Sequence, residues 1–382
     1  MDARSSLNPN TVRWSILHLV SSLEIGGLER MVLSLAAAQM QAGHTVHIGC
    51  LLTEGALARE ARTLGIPVMT FAKKPGPDIG SVLRIRHVLS EANIDVLHSH
   101  NAMPHYYGTA AAIGMGLRRI VNTRHNMGIF PYSARREALY RMAMLRTDYG
   151  VSVCEAARKV FVARKVIPSA KAVTIVNGID VLSYPVRNEA ARQRLVERLS
   201  LPRSAVVAVT VGRLTPVKNH RVMLEAIGLA RSRGVELALL VVGDGPLRAE
   251  LEALAVRLGL SGSVRFMGLR RDVPSILEAA DVFLQSSLTE GYSLALVEAS
   301  SAALPIVATD VGGNAEIVEE GRSGLLVPAN DVRAQADALE RLCRDGSLRT
   351  RMGMSGRHWA ATHGSVQTMH SAYLELYGKL VR

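Results

Sequence analysis

The chain has 382 residues, 48% of them hydrophobic, enough for about two domains each with its own core. No apolar stretch reaches the ~18 residues of a membrane-spanning helix, Trp14–Val20 is too short for a signal-peptide core, and Cys50, Cys154 and Cys343 lie far apart without a CxxC; the expectation is a cytoplasmic protein with buried free thiols. The net charge of +12 is concentrated, since residues 118–171 carry 12 Lys+Arg against 3 Asp+Glu; with only 4% aromatic residues and no groove-reading motif, nucleic acid is a poor partner.

Trp14–Val20 reads as a strand, and residues 25–40 as a glycine pair leading into an amphipathic helix. Gly26 and Gly27 let backbone approach a ligand closely, although an ordinary tight turn is the plainer account. Farther along, His98 and His100 share one face of a strand and, with His105, invite a metal reading. That reading is set aside because no acidic or Cys partner stands nearby, and no Asp-x-Asp motif occurs. The next strand, 120–125, ends in His125 before a Gly-containing loop, where a neutral imidazole could bond a hydroxyl or stabilise charge. The segment 130–146, FPYSARREALYRMAMLR, sets apolar residues among arginines at helical spacing. An interfacial helix on anionic lipid and a core-facing helix with a solvated basic rim account for it equally.

A boundary falls within 177–204, where two prolines and a charged helical stretch, 187–199, follow the last strand of the first half. The second half opens with VVAVTVG (206–212), the apolar, β-branched run of a central parallel strand. Arg213 and Lys218 occupy the loop between this strand and the helix 219–230. At such strand ends ligands bind in open α/β sheets, and two cations there suit a diphosphate. VVGDGPLRAE (241–250) repeats the strand, glycine turn and helix, with Gly243 at the turn. Arg248 stands where a third glycine would complete GxGxxG, and the next strand, 264–267, ends without an acidic ribose ligand, which disfavours a nicotinamide enzyme.

After another buried strand, 281–287, comes EGYSLALVE, with Glu290 and Glu298 eight positions apart. Fully helical, they would be roughly 12 Å apart at ~1.5 Å per residue, beyond the ~5–10 Å of most paired glycosidase carboxyls. The pair therefore reads as hydroxyl acceptors at two ends of one ligand, with its phosphates on the N–H groups of Gly291–Leu294. The last segment, 365–380, is amphipathic. Alternating strand and helix signals without hairpin dipeptides argue for an α/β protein of two doubly wound, Rossmann-like domains facing across a cleft.

The ordered set GGLE (26–29), NGID (177–180), VGRLTPVKN (211–219), VGDGPLR (242–248 with its preceding Val241), FMGLRRDV (266–273), EGYSLALVEAS (290–300) and PIVATDVGGNAEIV (305–318) resembles the GT-B glycosyltransferases of family 4, glycosyl transferases group 1, of the bacterial polysaccharide-biosynthesis type. The resemblance implies residues 1–180 as an acceptor-side domain, 181–364 as a nucleotide-sugar domain, and 365–382 as a helix packing back on the first. It also implies that Arg213 and Lys218 hold the donor diphosphate, that Glu298 bonds the ribose and that Glu290 contacts the transferred sugar. Gly291, Tyr292, Ser293 and Leu294 would offer backbone amides, and Leu269 and Arg270 main chain to the base. Gly26 and Gly27 would close over the donor, Gly243 would line the site, and His125 would lie near the reacting sugar. One departure is EASSAAL (298–304), where the family's usual glycine is Ala303; an alanine fits a helix end unless φ must be positive.

The expectation is a retaining, metal-independent transfer of a hexosyl or N-acetylhexosaminyl group from a nucleoside diphosphate sugar to a lipid-linked or oligosaccharide acceptor, peripheral to the inner membrane face. A sugar-nucleotide epimerase or hydrolase, and a non-catalytic nucleotide-sugar-binding subunit, are the alternatives.

Overall fold

The computed structural model describes residues 12–127 and 133–379. The start of the segment 130–146 and the end of the last segment at Leu380 lie outside them. Within them the chain forms two compact units: one holds the residues up to Val153, Arg158–Ile175 and those from Met369 onwards, and the other Cys154–Ala157 and Val176–Thr368.

The first unit is built on a seven-stranded sheet of β1 (Ser15–Val20), β2 (Thr45–Cys50), β3 (Val68–Thr70), β4 (Val96–His100), β5 (Arg119–Arg124), β6 (Tyr149–Ser152) and β7 (Ala172–Thr174). Its order is β3-β2-β1-β4-β5-β6-β7, and the pairings are parallel. Leu17, Leu19, Phe71, Leu97 and Tyr107 form part of its core. The second unit has β8 (Val206–Val211), β9 (Leu237–Val242), β10 (Val264–Gly268), β11 (Val282–Gln285), β12 (Ile306–Thr309) and β13 (Gly324–Val327). These run parallel in the order β10-β9-β8-β11-β12-β13. β9, LALLVV, is buried along its length, as a strand covered on both faces requires.

Each sheet reverses its winding once, between β1 and β4 and between β8 and β11. At such a reversal the loops leaving the two strands run in opposite directions, and a ligand fits at the carboxyl ends. At the opposite, amino ends of β8 and β11, buried Asp281 ties the two strands together: its carboxylate accepts from Val207 N at 2.9 Å, Arg192 Nε at 2.8 Å and Arg187 Nη2 at 2.7 Å.

Two features depart from the sequence reading. Cys154–Ala157 belongs to the second unit although its neighbours belong to the first; Glu316 accepts from Glu155 N at 2.9 Å and Ala156 N at 3.0 Å, capping the helix Glu155–Ala163. Ala303 follows the helix Leu294–Ser301 at φ 60°, so the left-handed position that glycine usually fills is here occupied by alanine. Leu304 N reaches back to Ala299 O at 3.0 Å, closing the helix end in the usual left-handed manner.

Candidate functional site

In the second unit, the loop after β8 and the loop after β11 meet. Lys218 Nζ donates to Glu290 Oε1 at 2.5 Å, and the hydroxyl of Ser287 donates to the same oxygen at 2.6 Å. The lysine and glutamate side chains are 26% and 11% exposed, so the pair is only partly wet. Leu288 N bonds Val217 O at 2.8 Å, and the Ser286 hydroxyl donates to Lys218 O at 3.1 Å, tying one loop to the other along the main chain. Arg213 is exposed, and its guanidinium meets no acidic partner among the described residues.

Two glycines let the neighbouring loops after β12 and β9 close on these two loops. Gly312, at φ 56°, lies so close to the Glu290 carbonyl that an added Cβ would stand 1.7 Å from its oxygen. Gly243, at φ 134°, likewise presses on Gly212, with 1.9 Å left for a Cβ. Neither position admits a side chain, so Gly243 sets how closely the β8 and β9 loops approach.

Beyond Glu290 the chain enters the helix Leu294–Ser301 with Ser293 at its N-cap. Only the later half of the interval to Glu298 is therefore helical, and the ~12 Å expectation for a full helix does not apply. Ser293 does not cap with its side chain; its hydroxyl accepts from Gln285 Nε2 at 2.8 Å, and Gln285 Oε1 accepts from Asn314 Nδ2 at 2.9 Å. This leaves early helix N–H groups to an incoming anion. Tyr292 is buried with its hydroxyl unpaired among the described residues, and burial, with Glu316 and Cys154 nearby, raises its pKa. Glu298 is half-buried on the same helix, Leu269 is 79% exposed, and Arg270 pairs with Asp272 at 2.6 Å.

The first unit gathers histidines. His18 on β1 stands in register with His98 on β4. His18 Nδ1 lies 3.1 Å from His100 Nε2, and His100 Nδ1 lies 3.0 Å from His125 Nε2. Ligand atoms of His18, His98 and His100 all fall within 4.8 Å of one another. Every ring nitrogen of these three already has a partner: His18 Nε2 meets Gln39 Oε1 at 2.7 Å, and His98 meets the Tyr377 hydroxyl at 2.7 Å and Thr123 Oγ1 at 2.8 Å. His105 stands apart, bonded to Thr147 at 2.7 Å. Burial lowers the pKa of His18 to about 4 and of His125 to about 3, and drives those of His98 and His100 well down, neighbouring histidines adding to the effect. All four rings are neutral at pH 7. Gly26 caps the helix Gly27–Gln41 in an extended conformation, φ −164°, and Gly27 is exposed.

Residues 192–359 match the family model of glycosyl transferases group 1, and residues 25–181 that of glycosyltransferase family 4. A GDP-mannose-dependent alpha-(1-6)-phosphatidylinositol monomannoside mannosyltransferase from Mycolicibacterium smegmatis is 31% identical over 313 residues, 79% of this chain and 80% of that protein. The chain belongs to glycosyltransferase family 4. This glycosyltransferase is also 26% identical over 283 residues, 71% of the chain and 72% of the relative, to a UDP-Gal:alpha-D-GlcNAc-diphosphoundecaprenol alpha-1,3-galactosyltransferase from Escherichia coli. Its fold matches HepE of Anabaena, solved with UDP and glucose, at TM-score 0.86 and 21% identity, covering 96% of this chain and 100% of that one. That likeness establishes two doubly wound units of the GT-B type.

Several neighbours in this family 4 chain escaped the sequence reading. Ser287 and Gln285 sit inside a strand-like run and carry no spacing signal. Gly312 and Gly313 stood within a recognised motif, yet their contact with Glu290 and Gly291 is set by tertiary approach. His18 and Gln39 lie in segments whose periodicity pointed only to a strand and a helix.

Proposed function

We propose that the protein moves a hexosyl or N-acetylhexosaminyl group from a nucleoside diphosphate sugar to a hydroxyl of a lipid-linked or polysaccharide-precursor acceptor, with retention of configuration. The observation that carries this reading is the Lys218–Glu290 contact at 2.5 Å beside the β8/β11 reversal: a cation for phosphate and an acid for sugar hydroxyls, one bond apart. Arg213 and Lys218 take the diphosphate, the N–H groups of Gly291 to Leu294 take the phosphate nearest the sugar, Glu290 the sugar and Glu298 the ribose. Leu269 and Arg270 present main chain to the base, Gly26 and Gly27 close on the donor, and His125 takes a hydroxyl of the reacting sugars.

The bond from the anomeric carbon to the phosphate oxygen breaks as the acceptor oxygen bonds on the same face. The acceptor proton passes to the leaving phosphate, whose growing charge is met by Arg213, Lys218 and the helix N-terminus. Those groups do without a metal ion. The names of the two relatives include a phosphatidylinositol monomannoside and a diphosphoundecaprenol, which supports a lipid-linked acceptor here. On the helix Ala134–Met144 and just beyond it, Met142 and Leu145 are 65% and 80% exposed among Arg135, Arg136, Arg141 and Arg146. That face suits anionic lipid at the inner membrane surface, and no described helix is long and apolar enough to cross a membrane.

The test is a thermal-shift screen of nucleotide sugars, where ligand at 100 times its dissociation constant adds about 2.7 kcal/mol, followed by transfer assays on Lys218→Ala and Glu290→Ala. Both variants are expected to stay folded and lose transfer; wild-type turnover in both would misplace the site.

A further inference from the structure

A line of hydrogen bonds crosses the first unit from Gln39 through His18 and His100 to His125, at 2.7, 3.1 and 3.0 Å. Each bond along it needs one nitrogen with a hydrogen and one without, so fixing one end fixes every ring. Gln39 Oε1 can only accept, which places the hydrogen of His18 on Nε2 and leaves its Nδ1 bare. His100 then donates from Nε2 and accepts at Nδ1, and His125 donates from Nε2. His125 Nδ1 is left as a lone pair, and this atom is enclosed and without a partner among the described residues.

The same orientation of the Gln39 amide also gives its other end a partner. Gln39 Nε2 points to the Tyr377 hydroxyl at 3.4 Å. That hydroxyl can then donate to His98 Nδ1 at 2.7 Å, and His98 Nε2 to Thr123 Oγ1 at 2.8 Å. Turning the amide over would shift every hydrogen one place along and end on an Nδ1–H of His125 with no acceptor. A buried donor without a partner costs ~1–3 kcal/mol, and a bare lone pair is the milder orphan. The His125 backbone is pinned as well, its N–H donating to Asn101 Oδ1 at 3.1 Å, and its ring stacks on His100 with centroids 5.3 Å apart.

We propose that Gln39, His18 and His100 are positioning residues that hold His125 in the tautomer with a proton-free Nδ1, so that it meets a substrate hydroxyl as a hydrogen-bond acceptor. His125 thereby discriminates for a hydroxyl at that place in the sugar and against a deoxy or methylated one. This rests on the assignment of His125 to the reacting sugars, but the tautomer itself does not depend on it.

The experiment is nitrogen-15 NMR of histidine-labelled full-length protein at pH 7. In the wild type, His125 is expected to show a protonated Nε2 and a pyridine-like Nδ1 that shifts on addition of the nucleotide sugar found by the thermal screen. In Gln39→Leu the line loses its fixed end, and His125 should become a mixture of tautomers. Transfer should fall about tenfold in kcat, the size of one misdirected hydrogen bond, with KM for the donor little changed. A wild-type His125 protonated on Nδ1 would overturn the proposal, as would an unchanged tautomer and full kcat in Gln39→Leu. A correct tautomer that ignores every nucleotide sugar while transfer proceeds would instead remove His125 from the sugar site and leave the line of hydrogen bonds standing as structure alone, which also overturns its proposed role.

Discussion

Replacing Glu290 by glutamine is expected to tighten binding of the nucleoside diphosphate while slowing transfer. Lys218 and Glu290 lie 2.5 Å apart with 26% and 11% of their side chains exposed, so water screens them less than a surface pair. At an effective dielectric of ~20, unit charges ~3 Å apart attract by roughly 5 kcal/mol. Desolvation and side-chain ordering leave a charged hydrogen bond of this kind a net ~1.5–3 kcal/mol. An arriving diphosphate competes for the same ammonium, and part of that energy opposes it. Glutamine keeps an oxygen for the Ser287 hydroxyl, now at 2.6 Å, but removes the charge. If about half of the pair's energy is released to the ligand, affinity rises by ~0.8–1.5 kcal/mol, or roughly 4- to 12-fold. Titration calorimetry with free uridine and guanosine diphosphates reads this without the sugar, which Glu290 itself would contact. Transfer should drop about 10- to 100-fold for loss of the charged acceptor. Equal or weaker diphosphate binding by Glu290→Gln would refute the idea that the pair holds the ammonium against the ligand.

Ala303→Gly should stabilise the second unit by about 1 kcal/mol, because φ 60° strains alanine and not glycine; a lower urea midpoint would contradict this. The reverse change nearby, Gly353→Ala, puts a Cβ 2.0 Å from Ala303 O and should cost several times as much, on the order of 3 kcal/mol. Burial lowers the pKa values of His18, His105 and His125 to about 4, 3 and 3. The unfolded chain takes up those protons below pH ~6.5 and the folded chain does not. Stability is therefore full above that pH, and each histidine withdraws about 1.4 kcal/mol per pH unit as pH falls from there towards 4. Asp281, whose pKa is lowered by Val207 N–H and Arg192 against the opposing effect of burial, acts only below its ordinary 3.8, so unfolding midpoints between pH 7 and 5 isolate the histidines; a flat series would show that they charge in place. Leu145→Glu should abolish sedimentation with anionic vesicles at unchanged thermal stability, and full binding would move the lipid contact elsewhere.

The sheets were legible because β8 reads as an apolar, β-branched run, and the strand-end loops because glycines and cations punctuate them. Lys218 and Glu290 could be named from spacing and resemblance. Their direct contact could not, since it comes from the tertiary approach of the β8 and β11 loops, held by Leu288 N to Val217 O and by the Ser286 hydroxyl to Lys218 O. β4 shows the opposite limit. VLHSH is buried throughout, and the polar half looked like ligand chemistry because periodicity cannot show that β1 supplies a third imidazole in register. Ala303 holds a left-handed turn at φ 60°, a position where the hydrogen bonds closing the helix outweigh a modest backbone penalty.

The interleaved course of the chain has a consequence for its synthesis. Thr123 Oγ1 and His98 Nδ1, deep in the first unit, find the hydroxyls of Tyr373 at 2.8 Å and Tyr377 at 2.7 Å, near the far end of the sequence. A nascent polypeptide that has emerged only as far as Asp180 has every strand of that sheet but lacks these two phenols. It must remain incompletely settled until translation is almost over, and a gene cut at the apparent boundary would yield a product with the same vacancies.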